Sequence, residues 1–345
     1  MTMQNLAQLT QQIGEEYAGL RSFVIPTQQI ALTENGLLNT GKNEFALSRE
    51  ASEQFAHFLK IPGDFYLTLE PDLRSLIFNR RFKVRVVEGG IGPDVRITLN
   101  QDNHIIGYDD PKLLKINPMT LMEAVNSSLP QNLSAEQIEV PRLHLTPTTL
   151  SFSCYSPLIE SQPRLGDIIN GGIDAHHSAS GEFGTQVRCY LRRQICSNGA
   201  CTHICEDEKY VRSRRLANGK FDEGDMVDQI QRLLKEAWAQ LDGKLEAIKG
   251  LLSRDRPSLD FLRQQRTRFS LNNRVLREIE NAINQDELGP TNTQYDLFNA
   301  ISRVASHEES LSLRQQRRMI FMAGEFSQHD VHVCPRCGSW LVTQN

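Results

Sequence analysis

The sequence predicts an α+β protein with a mixed or antiparallel β-sheet body, a helical C-terminal third and a short zinc-knuckle tail. Three observations lead to this fold class. Runs of alternating polar and apolar residues, typical of half-buried strands, recur between residues 27 and 193. From Asp225 onward the apolar residues follow helical spacing instead. The final residues contain a Cys-Pro-Arg-Cys-Gly sequence, which is typical of a metal-binding turn.

Composition excludes several classes of protein. The chain has 345 residues, a net charge of -4, 39% hydrophobic and 23% charged residues, which are ordinary values for a folded protein and exclude a fibrous or disordered chain. No apolar run approaches the roughly 20 residues of a membrane-spanning helix. The N-terminus carries acids and glutamines where a secretory signal would be basic and then apolar. We therefore expect a soluble, cytoplasmic protein that does not engage a membrane.

The N-terminal α+β region is predicted to cover residues 1–115. A strand over 27–32 should enter a hairpin at the following Asn-Gly. Ser48 is a suitable N-cap for a helix that ends before Pro62-Gly63. A second helix is predicted over 72–80, and alternation predicts strands over 82–87, 95–99 and 104–108.

The next region, 116–222, is predicted to be a β-rich core. It should contain a helix over 119–125, strands around 138–140 and 150–154, a glycine-rich turn segment after Gly166 and an alternating strand over 187–193. His176 and His177 are interpreted as part of a polar surface turn, because adjacent residues of a strand face opposite sides and rarely share a metal. The helical region, 223–325, should begin with a long helix capped by Asp225, followed by helices over 295–305 and 310–322.

The tail, 326–345, carries the clearest metal-binding signal. Cys334 and Cys337 flank a Pro-Arg turn followed by glycine, so two thiolates can converge on a tetrahedral ion. A structural Zn²⁺ needs four ligands, and Cys201 and Cys205 are the predicted second pair. Other ligands remain open, namely Cys196, His203, His329 and His332.

Basic residues cluster locally although the chain is acidic overall. Arginine predominates in the clusters, which suits bidentate recognition of phosphate. On the strand 187–193, Arg188, Tyr190 and Arg192 should share one face, where a tyrosine could stack on a base. An alternative is that these residues form solvated faces and ion pairs. The predicted nucleic-acid contacts are Arg80, Arg81, Lys83, Arg85, Arg188, Tyr190, Arg192, Arg193, Arg212, Arg214 and Arg215.

Two segments together carry a family resemblance. The first runs from Asp167-Ile-Ile-Asn-Gly-Gly to Cys196-Ser-Asn-Gly, and the second from Thr293-Gln-Tyr-Asp-Leu-Phe-Asn-Ala to His307. In this order, over residues 45–325, the chain resembles the phage- and plasmid-associated family called domain of unknown function 932. The resemblance implies DNA-associated work in a mobile element or its host, such as replication, recombination or conflict between the two. The Cys-Pro-Arg-Cys-Gly tail and Cys201 and Cys205 depart from the family pattern.

The leading functional hypothesis is a non-enzymatic protein that grips single-stranded nucleic acid, DNA rather than RNA, and that forms a homo-oligomer. The alternative is a protein-interaction module, an adaptor or inhibitor in conflict between phage or plasmid and host, which binds no nucleic acid. A third hypothesis is a zinc-dependent hydrolase that uses His176, His177 or Glu206. No nucleotide-binding glycine fingerprint and no His-Glu-x-x-His motif occurs to support other enzyme classes.

Overall fold

The computed structural model describes residues 4–89, 92–111, 116–179, 184–194, 198–202, 223–256, 259–264, 271–285, 290–308, 311, 313–333 and 340–344. The helices are α1 (Leu6–Tyr17), α2 (Arg49–Phe58), α3 (Gly63–Thr68), α4 (Pro71–Val87), α5 (Pro118–Ser127), α6 (Glu223–Gly250), α7 (Leu259–Gln264), α8 (Asn273–Asn284), α9 (Gln294–His307) and α10 (Leu313–Gln328).

The strands are β1 (Gln4–Asn5), β2 (Arg21–Pro26), β3 (Ala31–Leu32), β4 (Leu37–Asn39), β5 (Glu44–Ala46), β6 (Asp94–Leu99), β7 (Ile105–Asp109), β8 (Glu139–Leu145), β9 (Thr149–Arg164), β10 (Asp167–Ser178), β11 (Gln186–Arg193), β12 (Asn198–Thr202), β13 (His329–Val333) and β14 (Trp340–Gln344). All pairs between these strands run antiparallel, so the predicted α+β class is confirmed.

The main sheet has six strands in the order β1-β8-β9-β10-β11-β12. Helices lie on both of its faces. The Cys189 thiol in β11 donates to the Ala237 carbonyl in α6 at 3.4 Å, whereas the neighbouring Arg188 lies over the Phe321 ring of α10. Because successive strand residues face opposite sides, α6 and α10 cover opposite faces. One face is therefore apolar against α6, and the other meets α9 and α10.

Two adjacent glycines explain how β10 passes between its neighbours. The predicted glycine-rich turn after Gly166 is wrong in extent, since residues 167–178 form a continuous strand. A Cβ atom on Gly172 would lie 1.9 Å from the Cys154 carbonyl oxygen of β9, and one on Gly171 would lie 2.9 Å from Ile159. Glycine is required here by the close approach of two strands, not by a turn. The same strand contains His176 and His177, so the predicted polar turn at these histidines is also wrong.

Helix α6 supplies much of the main core, as its periodicity predicts. Ile230, Leu234, Ala237 and Leu241 are buried at helical spacing and pack into the cluster that includes Ile173 of β10. The predicted cap at Asp225 is wrong, since the helix begins at residue 223. The α1 residues Leu6, Leu9 and Ile13 join this same core.

A second hydrophobic core lies within residues 25–108. The rings of Phe55 and Tyr108 stack at 4.1 Å, and those of Phe78 and Phe82 stack at 5.2 Å. Since α1 packs in the main core, the predicted N-terminal region 1–115 contributes elements to both cores. Ser48 caps α2 as predicted, because its hydroxyl accepts from the Ala51 amide.

The strand predicted over 82–87 is wrong, because α4 continues to Val87. The alternation of Phe82, Val84 and Val86 would place all three on one face of a strand. In the helix, Phe82 is buried and Val86 packs beside it, while Val84 is 46% exposed. The stacking of Phe82 on Phe78, four residues earlier, fits the helical spacing.

Across the described residues, every helix is too short or too polar to cross a membrane.

Candidate nucleic-acid interface

A row of polar side chains crosses four strands of the main sheet. Arg142 of β8 pairs with Ser153 of β9, which pairs with Asp174 of β10, which in turn pairs with Arg188 of β11. Paired residues of neighbouring strands point to the same side, so the row lies on one face, opposite α6. We call this face the polar sheet face. The row thus contains two guanidinium groups, of Arg142 and Arg188, one on each side of the Asp174 carboxylate.

A pocket of about 380 Å³ opens between this row and the two C-terminal helices. Its size is in the range of small-ligand sites. Its lining combines basic and hydroxyl groups from the sheet with polar and apolar groups from α9 and α10. The lining residues are Pro141, Arg142, Leu143, His144, Ser151, Phe152, Ser153, Asp174, Arg188, Ser306, Gln316 and Ile320.

Arg188, one of the predicted nucleic-acid contacts, forms part of the pocket wall and is half-buried. Its guanidinium lies 5.2 Å from the centre of the Phe321 ring and donates to the Gln186 side-chain oxygen at 3.1 Å. These contacts hold the group in place before any ligand arrives. A guanidinium positioned in this way suits recognition of a carboxylate or phosphate.

Arg142 and His144 approach the pocket from β8, and the sequence analysis assigned neither a role. The Arg142 guanidinium donates to the Ser306 hydroxyl of α9 and so links the sheet to that helix. His144 is exposed at the rim. On the floor, the Ser153 hydroxyl donates to Asp174 at 2.9 Å. Together these groups offer several donors and one carboxylate to an incoming ligand.

Arg193, also a predicted contact, is instead bound within the protein. Its guanidinium donates to both oxygens of Asp167, at 2.6 and 2.7 Å, and both residues are buried. Arg164 approaches the same carboxylate at 3.3 Å, and the Tyr295 hydroxyl donates to it at 2.8 Å. Burial, and next the charge of Asp167, raise the pKa of Tyr295. This cluster joins α9 to the start of β10.

Arg192 and Tyr190 share a strand face with Arg188, as predicted. Both are buried, however, with Tyr190 fully so. The Arg192 guanidinium lies over the Tyr155 ring at 4.5 Å and donates to its hydroxyl, which in turn donates to Glu139. Burial, and then the bond to Glu139, raise the pKa of Tyr155. In this structure these two predicted contacts belong to the protein interior.

The basic residues of 80–85 lie on α4, not on a strand. Arg80, Arg81 and Lys83 are exposed. Arg85 is half-buried, lies 5.2 Å from the centre of the Phe58 ring and forms a 3.5 Å ion pair with Glu88. These four residues lie on α4, the helix that packs its phenylalanines into the second core, and they are not among the residues that line the pocket.

Most of the predicted zinc ligands lie outside the described residues. Cys201 lies in β12, opposite Tyr190, and His329 and His332 lie in β13. Cys196, His203, Cys205, Cys334 and Cys337 are outside the described residues, as are Arg212, Arg214 and Arg215. Within the described part of the chain, no group of three or more metal-ligating side chains is assembled. Zinc therefore stays a prediction.

Two further cysteines are structural. Cys154 and Cys189 are buried and form no disulfide. Burial raises the pKa of the Cys154 thiol to about 12, so it stays protonated at neutral pH.

His177 is buried as well, with Nδ1 2.9 Å from the Thr185 hydroxyl, and His176 faces the other side of β10. These two histidines therefore do not converge on one site.

No family model, no curated protein and no solved structure matches the chain. The geometry of the polar sheet face therefore carries the functional argument.

Sequence reasoning missed Arg142, His144 and Asp174 as site residues. A signal was present in β8, where Arg142 and His144 alternate with Leu143 and Leu145 as in a strand with one polar side. Asp174 gave no separate signal, because its place beside Arg188 depends on the register between β10 and β11. Register between strands cannot be read from either strand alone.

Proposed function

We propose that the chain binds single-stranded nucleic acid, DNA rather than RNA, with a backbone phosphate in the pocket of the polar sheet face. The observation that supports this is the pair of half-buried arginines, Arg142 and Arg188, that line one pocket with His144 at its rim. Guanidinium groups bind phosphate through parallel hydrogen bonds, and serine hydroxyls add donors that can turn toward an anion.

The pocket suits a single phosphate better than a stacked row of bases. Tyr190 is fully buried, and Tyr155 is only 3% exposed, so neither ring offers a face to a base. The ring of Phe321 is covered by the Arg188 guanidinium. The affinity would therefore come mainly from contacts with the phosphate backbone of the nucleic acid. This predicts a weak sequence preference and a strong dependence of binding on salt.

The proposal also includes further basic residues, a structural zinc and a homo-oligomer. Arg212, Arg214 and Arg215 are proposed to add further phosphate contacts, because they bring three positive charges close together in sequence. A structural Zn²⁺ held by Cys201, Cys205, Cys334 and Cys337 is proposed to fix the tail to the end of the sheet at β12. A homo-oligomer stays a prediction, to be checked by sedimentation.

The test compares binding of a fluorescent single-stranded DNA to the wild-type chain and to an Arg142→Gln/Arg188→Gln variant at low salt. We expect the double variant to bind at least tenfold more weakly. Arg49→Gln is the matched control, because Arg49 is exposed on α2, forms an ion pair with Glu53 one turn later and does not line the pocket. Absence of binding by the wild type, or equal loss in the control, would refute the proposal.

A further inference from the structure

Helix α4 presents an exposed face with the spacing of a helix–helix contact. Leu73, Leu76, Arg80, Lys83 and Val87 are separated by three, four, three and four residues. This is the repeat by which one helix packs along another, and we call these five residues the α4 seam. Leu73, Leu76 and Val87 are 44%, 54% and 87% exposed. The inner side of α4 is already filled, since its two phenylalanines are buried in the second core.

The seam borders a groove of about 480 Å³. Leu76, Arg80 and Lys83 line one side, and the residues that lead from β3 into the next turn line the other. The two sides are fixed to each other. The Ser75 hydroxyl donates to the Leu32 carbonyl at 2.6 Å, and the Asn79 side chain accepts from the Leu32 amide at 2.9 Å and donates to its carbonyl at 2.8 Å.

The composition of the seam argues against nucleic acid as its ligand. A surface that follows a phosphate backbone is basic and polar, whereas here Leu73, Leu76 and Val87 flank the two cations. Val84, 46% exposed, widens the apolar stripe. An apolar stripe of this kind on an exposed helix is typical of a protein-binding surface.

The charges of the seam argue against a second copy of the chain. In an antiparallel pair of α4 helices centred on the seam, Arg80 and Lys83 would face the same residues of the other copy. Like charges opposite each other at such positions oppose pairing. Arg81 adds a third positive charge at the edge. The complementary partner carries acidic residues at the centre of its own stripe and apolar residues at the ends.

We propose that the α4 seam docks an acidic amphipathic helix of a partner protein. Its apolar residues would pack on Leu73, Leu76 and Val87, and a glutamate or aspartate would pair with each of Arg80 and Lys83. Glu34 and Asp72 border the groove near the N-terminal end of α4, so the partner should carry no acidic residue opposite that end. This surface is separate from the phosphate pocket and does not depend on nucleic-acid binding.

The experiment uses two labelled helical peptides, each as long as the 17 residues of α4. Both carry leucines complementary to the ends of the seam. One has glutamates and the other lysines opposite Arg80 and Lys83. We expect the full-length chain to bind the glutamate peptide at least tenfold more tightly, and an Arg80→Glu/Lys83→Glu variant to reverse this preference. Such a reversal is a gain of binding, which an unfolded variant cannot produce.

Leu76→Asp should abolish binding of the glutamate peptide, whereas the control Leu165→Asp should not, because Leu165 is 92% exposed in the β9–β10 turn. Three results would overturn the proposal. They are failure of the chain to distinguish the peptides, self-association that is lost in Leu76→Asp, and loss of DNA binding in the Arg80→Glu/Lys83→Glu variant with no effect on the peptides. The second result assigns the seam to another copy, and the third assigns it to nucleic acid.

Discussion

The Tyr295 hydroxyl donates a 2.8 Å hydrogen bond to the Asp167 carboxylate, and both side chains are buried. This contact joins two segments that are 128 residues apart in the sequence. Arg193 holds the same carboxylate with two further hydrogen bonds. A buried carboxylate is stable only when its oxygens accept enough hydrogen bonds. Because the donors to Asp167 come from β11 and α9, the cluster holds α9 against the main sheet.

Replacement of Tyr295 by phenylalanine removes one donor from the buried carboxylate. We expect a loss of about 1.5–3 kcal/mol in the free energy of unfolding, the usual range for a hydrogen bond to a charged group. Tyr66→Phe is the matched control, because the Tyr66 hydroxyl is buried and has no hydrogen-bond partner among the described residues. The control should be neutral or stabilising. Urea unfolding followed by circular dichroism measures both, and equal losses would contradict the assignment.

The glycines of β10 and α6 provide a second contrast. Gly172→Ala should destabilise the chain by about 1–3 kcal/mol or more, because the new Cβ would collide with the β9 backbone. Gly243→Ala should stabilise it by up to about 1 kcal/mol, because a Cβ there meets nothing within 4 Å and alanine is the better helix former. Thermal unfolding of the two variants gives the comparison. A stable Gly172→Ala variant would mean that β9 and β10 lie farther apart.

Stability should fall steeply at alkaline pH. Burial is the largest cause that raises the pKa values of Tyr17, Tyr66, Tyr155 and Tyr295. Since each folded-state pKa lies above the unfolded value of about 10, the stabilisation is fully present below that pH and is lost as pH rises through the folded-state pKa values. Each group contributes a slope of up to about 1.4 kcal/mol per pH unit.

Absorbance of tyrosinate measures this effect directly. Of the seven tyrosines, these four should ionise only together with unfolding, so the folded chain should show a reduced absorbance change near pH 10. Ionisation of all seven near that pH without loss of circular dichroism would contradict the burial of these side chains.

Metal analysis tests the zinc prediction. We expect about one zinc per chain in the purified protein, since four thiolates saturate one tetrahedral ion. Serine in place of Cys334 or Cys337 should release the zinc, whereas Cys154→Ala should retain it because that thiol is buried in the main core. A chain that contains no zinc, or that keeps it in both serine variants, would refute the prediction.

Local pattern was sufficient where one face of an element is buried and the other is not. Ile230 to Leu241 repeat at helical spacing, and α6 buries that stripe. Arg188 and Arg192 alternate with apolar residues, and β11 places both on the polar side. The periodicity of each element was therefore readable in its own residues.

Pattern failed where distant residues decide the conformation. Residues 82–87 alternate like a strand, but Phe82 stacks on Phe78 and the helix continues. Gly171 and Gly172 were predicted to lie in a turn, but they lie in a strand where a side chain would collide with β9. The bond between Tyr295 and Asp167 depends on how α9 meets the sheet, which periodicity within either segment cannot reveal.

The salt dependence of DNA binding tests the central claim most directly. The slope of log K against log salt for single-stranded DNA reports about 0.7 per phosphate contact. Because Arg142 and Arg188 are proposed to hold the same backbone phosphate, the Arg142→Gln/Arg188→Gln variant should bind more weakly with a slope smaller by about 0.7. The Arg49→Gln control should keep the wild-type slope. A double variant with wild-type affinity and an unchanged slope would contradict a phosphate site on the polar sheet face.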